Sequence, residues 1–77
     1  MDYKKILTNI ARAIVDSPDK VSVTETAEGD EITLTLTVAP EDTGMVIGRH
    51  GKIAKAIRSV MKVAAQNTGK HITVEIQ

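Results

Sequence analysis

The chain is short, contains no cysteine and has no net charge. Its 77 residues are enough for one small domain, and a domain of this size buries only about 60% of its unfolded-chain surface. The lack of cysteine excludes a disulfide framework and a cysteine metal site, and no apolar run is long enough for a signal peptide or a membrane span, so we expect a cytoplasmic protein.

The first half of the chain begins with a helix and continues with two strands. Apolar residues recur at helical spacing over residues 3–15, and Ser17-Pro18-Asp19 ends this pattern because proline disfavours helical geometry before it. Alternating residues predict strands over residues 20–26 and 32–38, with threonines facing solvent in the second strand. The turn signal at residues 28–30 joins the strands into an antiparallel hairpin.

The second half predicts two helices and a final strand. Pro40 suits the first turn of a short helix over residues 41–47, and the longest helix spans residues 52–66. We expect the following residues to form the buried face of the long helix: Ile53, Ile57, Val60, Met61 and Ala64. A last strand follows at residues 71–76. The predicted fold class is therefore α+β, with a three-stranded sheet packed against three helices in two layers.

Charge is distributed unevenly along the chain. Residues 1–42 carry four basic and nine acidic side chains, whereas residues 43–74 carry six basic side chains and no acidic one. Such segregation creates a local positive field even when the total charge cancels. The basic residues are Arg49, Lys52, Lys55, Arg58, Lys62 and Lys70. They favour an anionic partner, although a solvated helix face remains an open alternative for Lys55, Arg58 and Lys62.

The segment between the last two helices carries the most specific signal. Two glycines, Gly48 and Gly51, flank Arg49 and His50 and precede Lys52. Glycine permits close approach of a ligand backbone, and the N-terminus of a helix favours an anion through its unpaired N–H groups and its dipole. The segment therefore predicts a phosphate-binding loop, with an ordinary turn between helices as the alternative.

The element order and the sequence Ile47-Gly48-Arg49-His50-Gly51 resemble a KH domain of the type II arrangement (α-β-β-α-α-β) over residues 1–77. The residues after the loop are similar to those of the small bacterial KhpA family. The resemblance implies that the loop grips the backbone of single-stranded RNA. The implied RNA-binding residues are Ile47, Gly48, Arg49, His50, Gly51, Lys52 and Lys55. The family pattern also places Val46, Ile47 and Ile57 at a groove that faces the bases.

The resemblance further implies a role as an RNA chaperone or post-transcriptional regulator, linked to cell shape and cell wall synthesis. It implies a homodimer or pairing with a second KH protein of the KhpB type. The alternative function is a protein-interaction module of the same fold that binds RNA only incidentally. We expect no enzyme, cofactor or metal site, because the sequence lacks a nucleophile motif, a P-loop and a set of ligands spaced to join His50.

Overall fold

The computed structural model describes residues 2–77, apart from the side chain of Asn67. The helices are α1 (Tyr3–Ile14), α2 (Thr43–Ile47) and α3 (Lys52–Ala65), and the strands are β1 (Ser22–Glu28), β2 (Glu31–Thr37) and β3 (His71–Ile76). Short 3₁₀ turns lie at Pro18–Lys20, Pro40–Asp42, Arg49–Gly51 and Gln66–Thr68. The predicted α+β class and element order are confirmed, with element ends shifted by two residues or fewer. Met1, the first residue of the expected domain, lies outside the described residues.

The sheet has the order β1-β2-β3, with β2 in the centre. β1 pairs with β2 in antiparallel fashion through a tight turn at Gly29, where φ is 62°. β3 pairs with β2 in parallel, and a parallel pair needs a crossover connection. The α2 and α3 helices form that crossover, so the residues between them lie at one end of the helical layer.

One face of the sheet forms the core and the other faces solvent. Ile32, Leu34 and Leu36 alternate along β2 and are buried against the helices. Leu7 of α1 and Met61 of α3 are fully buried in the same core. The threonines at the intervening positions of β2 fall on the opposite face, as expected. The sheet and one layer of helices therefore form the predicted two-layer structure.

The expected buried face of α3 is partly wrong. Ile57 and Met61 are buried, but Ile53 and Val60 are 37% and 51% exposed. Ala54 and Ala65 are buried in their place. The small alanine side chains let the helix backbone lie close to the sheet, and the sheet covers a narrower arc of the helix than its apolar residues occupy. Part of the apolar surface of α3 is consequently left facing outward.

Two polar contacts fix the helices relative to the rest of the chain. Asp42 is buried, and its Oδ2 atom accepts a hydrogen bond of 3.0 Å from the backbone N–H of Ser17. This contact ties the segment after α1 to the start of α2. The Tyr3 hydroxyl lies 3.0 Å from Thr68 Oγ1, which in turn donates to the Ala65 carbonyl oxygen. The start of α1 is thereby held against the end of α3.

Candidate nucleic-acid interface

Gly48 ends α2 in a conformation that only glycine adopts readily. Its φ of 75° and ψ of 175° lie in a region essentially restricted to glycine. A Cβ atom at this position would lie 2.6 Å from Ile53 Cγ1 and 2.9 Å from the Ile53 backbone nitrogen. The chain therefore turns from α2 into α3 with its backbone packed directly on the first turn of α3.

The middle of the loop at residues 48–51 has the backbone form of an anion-binding nest. Arg49 keeps helical angles, whereas His50 is left-handed, with φ of 58° and ψ of 24°. Successive residues of these two kinds direct their N–H groups into one concavity that suits an anion. Gly51 is also left-handed and leads into α3. His50 is the only positive-φ residue other than glycine among the described residues, and histidine is one of the residue types enriched there.

The hydrogen bonds of the loop leave donors for a ligand. The N–H groups of Gly48 and Gly51 donate to the carbonyl oxygens of Gly44 and Gly48, at 2.9 and 3.2 Å. The N–H group of Lys52 donates to the carbonyl oxygen of Arg49. Among the described residues, no turn or cap hydrogen bond uses the N–H groups of Arg49 or His50. These two N–H groups can therefore face an anion at the start of α3, where the helix dipole also favours it.

The structure brings most of the predicted site residues together at this end of the helical layer. The side chains of Arg49, His50 and Lys52 are exposed around the loop, and Lys55 is exposed one turn further along α3. Ile47 is 39% exposed at the end of α2. The loop is thus surrounded by cationic side chains and one aliphatic side chain, a combination suited to a phosphate and an adjacent apolar group.

Two residues that the family pattern places at the groove do not form a surface. Val46 has no exposed area and Ile57 is 3% exposed, so both belong to the core. Their contribution is to hold α2 and α3 together beneath the loop. The sequence pattern alone does not separate these roles, because an apolar residue next to a loop is equally consistent with a core or a groove position.

Three sides of α3 have different chemistry. Its buried side packs on the sheet, and a basic side contains Lys55, Arg58 and Lys62 at helical spacing. Arg58 Nε–H donates to the carbonyl oxygen of Val74 at 3.2 Å, which orients this basic side toward β3. The basic side is therefore a lateral continuation of the loop, beside the edge of the sheet.

The third side of α3 faces outward and is apolar. Ile53, Val60 and Val63 are 37%, 51% and 66% exposed, and their spacing places them within about a quarter of a turn of one another. We call these three residues the outward apolar side of α3. Sequence reasoning missed it, because the same spacing is expected of a buried face.

Several other kinds of site find no support in the part of the chain that the structure describes. No group of three or more acidic, histidine or cysteine side chains lies close enough to hold a metal ion within residues 2–77. Over the same residues, no helix is long and apolar enough to cross a membrane.

Comparisons with known proteins match nearly the whole chain. The family model of the KhpA/KhpB KH domain matches residues 4–76. The chain is 52% identical to a protein named RNA-binding protein KhpA from Clostridium acetobutylicum, over 95% of this chain and 97% of the relative. The proteins of the same name from Clostridium perfringens and Treponema pallidum are 48% and 45% identical, over 95% of this chain and 97% and 91% of theirs.

The chain belongs to the KhpA/KhpB KH-domain family. A solved structure gives the same architecture without close sequence similarity. The KhpA/KhpB-family chain superimposes on Era from Aquifex aeolicus, solved in complex with GDP·AlF4⁻, with a TM-score of 0.65 and 14% identity. The match covers 96% of this chain and 29% of Era, and it supports the fold alone.

Proposed function

We propose that this KhpA/KhpB-family chain binds single-stranded RNA by holding its phosphate backbone in the loop at residues 48–51. The observation that carries the proposal is the nest at Arg49 and His50, with two available N–H groups at the start of α3. The exposed side chains of Arg49 and Lys52 add positive charge beside it. The name RNA-binding protein KhpA carried by the relatives gives independent support.

The proposed ligand is single-stranded RNA, and the chain has no Phe or Trp on which its bases could stack. Tyr3, its one aromatic residue, is 7% exposed and belongs to the core. Bases must then lie against aliphatic or polar groups such as Ile47, and they reach them only when splayed out of a duplex. A KH loop contacts about four nucleotides, so we expect little sequence specificity.

We extend the proposal to the cellular role implied by family resemblance. A weakly specific binder of RNA backbone suits an RNA chaperone or post-transcriptional regulator. A small footprint gains affinity when a second domain is linked to it, which supports action as a homodimer or with a KhpB-type partner in the cytoplasm. The connection to cell shape and cell wall synthesis rests on the resemblance alone. We expect no enzymatic activity and no cofactor.

The decisive experiment replaces Arg49 and His50 together by aspartate. Both side chains are exposed, and aspartate tolerates the left-handed conformation of residue 50, so the fold should persist. The new carboxylates would repel phosphate at the nest, and we expect at least a tenfold loss of affinity for a short single-stranded RNA. Fluorescence anisotropy measures the affinity, and thermal unfolding measures the fold.

The matched control is the double variant Lys4→Asp and Lys5→Asp. These two lysines are exposed on α1, and their replacement makes the net charge of the chain more negative without touching the loop. We expect a much smaller loss of affinity in this control. Equal losses in the two variants, or unchanged affinity in the folded Arg49/His50 variant, would refute the assignment of RNA binding to the loop.

A second candidate function, self-association, is favoured by the outward apolar side of α3. Exposed apolar groups that form a contiguous surface mark an interaction site more often than scattered ones do. The charge-neutral double variant Val60→Gln and Val63→Gln should preserve the helix, since glutamine has a higher helix propensity than valine. We expect it to weaken a homodimer at least tenfold in analytical ultracentrifugation. A wild-type chain that stays monomeric at high micromolar concentration would reject homodimerisation.

A further inference from the structure

The outer edge of β1 carries backbone hydrogen-bonding groups that the sheet does not use. β1 pairs with β2 alone, because β2 occupies the centre of the three-stranded sheet. The carbonyl oxygen of Leu36 in β2 accepts a hydrogen bond from the N–H of Gln77, so the backbone groups of Leu36 are directed to the β3 side. Successive residues of a strand alternate in this direction, and the threonines of β2 are therefore directed to β1.

The register of the hairpin identifies the residues of β1 whose backbone groups remain open. Thr33 and Thr35 of β2 lie opposite Thr26 and Thr24 of β1, so these residues use their N–H and C=O groups within the hairpin. The residues that alternate with Thr24 and Thr26 direct their N–H and C=O groups to the open edge. These residues are Val23, Glu25 and Ala27. Such an edge can pair with a further strand.

The side chain of Glu25 lies on the face of the sheet that the helices cover. Glu25 is two residues from the buried Val23 and lies opposite the fully buried Leu34, and side chains two residues apart in a strand share a face. Glu25 is nevertheless exposed, as is Ala27, so the helical layer leaves the second half of β1 uncovered. Within residues 2–77, no salt bridge involves Glu25. A charged side chain on the inner face of an edge strand is a feature that hinders the addition of another strand.

A second copy of the chain would bring Glu25 against itself. β1 runs over the seven residues from Ser22 to Glu28, and Glu25 is the central one. Two copies of β1 that pair antiparallel over their full length therefore place the two Glu25 side chains directly opposite each other, which destabilises the pair. A shift that keeps the open backbone groups facing each other moves one strand by two residues and shortens the overlap from seven residues to five.

The charge around β1 favours a basic partner. The chain contains no basic residue between Lys20 and Arg49, and the acidic residues Glu28, Asp30 and Glu31 lie at the hairpin end of β1. A strand that places a lysine or arginine opposite Glu25 replaces the repulsion by an attraction, because opposite charges that face each other stabilise a strand pair.

We propose that Glu25 makes the open edge of β1 a selective interaction surface. The edge accepts an extended segment of another polypeptide that places a lysine or arginine opposite Glu25, and it excludes a second copy of this chain. The inference goes beyond the proposed function and does not depend on RNA binding. It restricts homodimerisation to surfaces outside β1, such as the outward apolar side of α3.

The test uses a Glu25→Lys variant as the partner that carries a cation opposite Glu25. Every chain in the test also carries Val60→Gln and Val63→Gln, so that the outward apolar side of α3 does not contribute. In an equimolar mixture, antiparallel pairing places each Glu25 opposite the introduced lysine. We expect the association constant of the mixture to exceed that of either chain alone by roughly fivefold or more, the order that exchanging a like-charge pair for an opposite-charge pair supplies. Analytical ultracentrifugation measures these constants.

Amide hydrogen exchange locates the contact. The open N–H groups of Val23, Glu25 and Ala27 should exchange more slowly in the mixture than in either chain alone. The matched control is Glu75→Lys, which makes the same substitution at an exposed position on β3, at the other end of the sheet, and should not raise association with the Glu25 chain.

A second variant tests the repulsion without a mixture. Glu25→Val removes the charge, and valine suits a strand, so this chain should pair with itself at least fivefold more strongly than the Glu25 chain. The inference is overturned if the mixture associates no more strongly than its components, if Glu75→Lys has the same effect, or if Glu25→Val leaves self-association unchanged. Slowed exchange at Val23 and Ala27 in the Glu25 chain alone would also overturn it, because a second copy would then occupy the edge.

Discussion

The replacement Gly48→Ala tests the geometry on which the candidate site depends. The added Cβ would lie 2.6 Å from Ile53 Cγ1 and 2.9 Å from the Ile53 backbone nitrogen. A rotation of the Ile53 side chain relieves the first contact but not the second, because the backbone atom belongs to the first turn of α3. The residue would also keep a φ of 75° and a ψ of 175°, which alanine does not adopt without strain.

The expected loss of stability is large for so small a chain. Backbone strain of this kind costs about 1–3 kcal/mol, and inserting a carbon into a packed contact costs about 1–3 kcal/mol. Together they predict a loss of roughly 2–6 kcal/mol. A domain of 77 residues has a total stability of only about 4–12 kcal/mol. We therefore expect the melting temperature to fall by about 8 °C or more, at about 4–8 °C per kcal/mol.

The free energy of unfolding is measured by chemical denaturation followed by circular dichroism. Two other glycines provide matched controls for the Gly48→Ala variant. Gly51→Ala meets no atom within 4 Å but keeps a φ of 73°, so it should cost about 1–2 kcal/mol. Gly44→Ala lies within α2 with nothing within 4 Å and should stabilise the chain by about 0.5–1 kcal/mol. A Gly48→Ala variant as stable as the wild type, or no less stable than Gly51→Ala, would refute the packing of the loop on α3.

Three further predictions concern the core, the buried carboxylate and the response to salt. Leu34→Ala should cost about 2–5 kcal/mol in urea unfolding because Leu34 is fully buried in the central strand, whereas the exposed Thr24→Ala should change stability by no more than about 0.5 kcal/mol. Asp42→Ala should cost about 1–3 kcal/mol, since it leaves the N–H of Ser17 without its partner, and Asp42→Asn should cost less because an amide oxygen can still accept that bond. RNA affinity should fall with salt at a log–log slope of roughly −1.5 to −3, for two to four phosphate contacts on a single strand, and a flat response would contradict a phosphate grip.

The order of elements was predictable because local signals and global fold agree along the chain. The alternation of aliphatic residues and threonines over β2 matches its place in the centre of the sheet, with one face buried. The turn at Gly29 and the stop at Pro40 fall where the chain changes direction. Each of these features depends on residues that are close in sequence. The spacing of apolar residues and the residue types at turns therefore indicate such features directly.

The surface of α3 was less predictable because it depends on how far the sheet extends beneath the helix. The spacing of Ile53, Val60 and Val63 is that of a core-facing helix, and nothing local distinguishes it from the spacing of Ile57 and Met61. The hydrogen-bond partner of the buried Asp42 was also not predictable from local sequence. Its place before a helix suggests a cap, but its partner is the backbone of Ser17, which is 25 positions away in the sequence.

The arrangement of chemistry around α3 bears on whether RNA binding and self-association compete. The basic side is directed toward β3 by the contact of Arg58 with Val74, and the outward apolar side lies on a different part of the helix circumference. A dimer formed through Val60 and Val63 would therefore leave Lys55 and Arg58 of both chains accessible to RNA, whereas Lys62 lies beside Val63. Its two loops would then act on one strand, which raises affinity through effective concentration. Ile53 is a second point of conflict, because it belongs to the apolar side and also lies directly under Gly48. The part of the outward apolar side that a dimer buries therefore decides whether the loop stays accessible. A contact centred on Val63 keeps the loops free. A contact that includes Ile53 brings a second chain to the edge of the phosphate site.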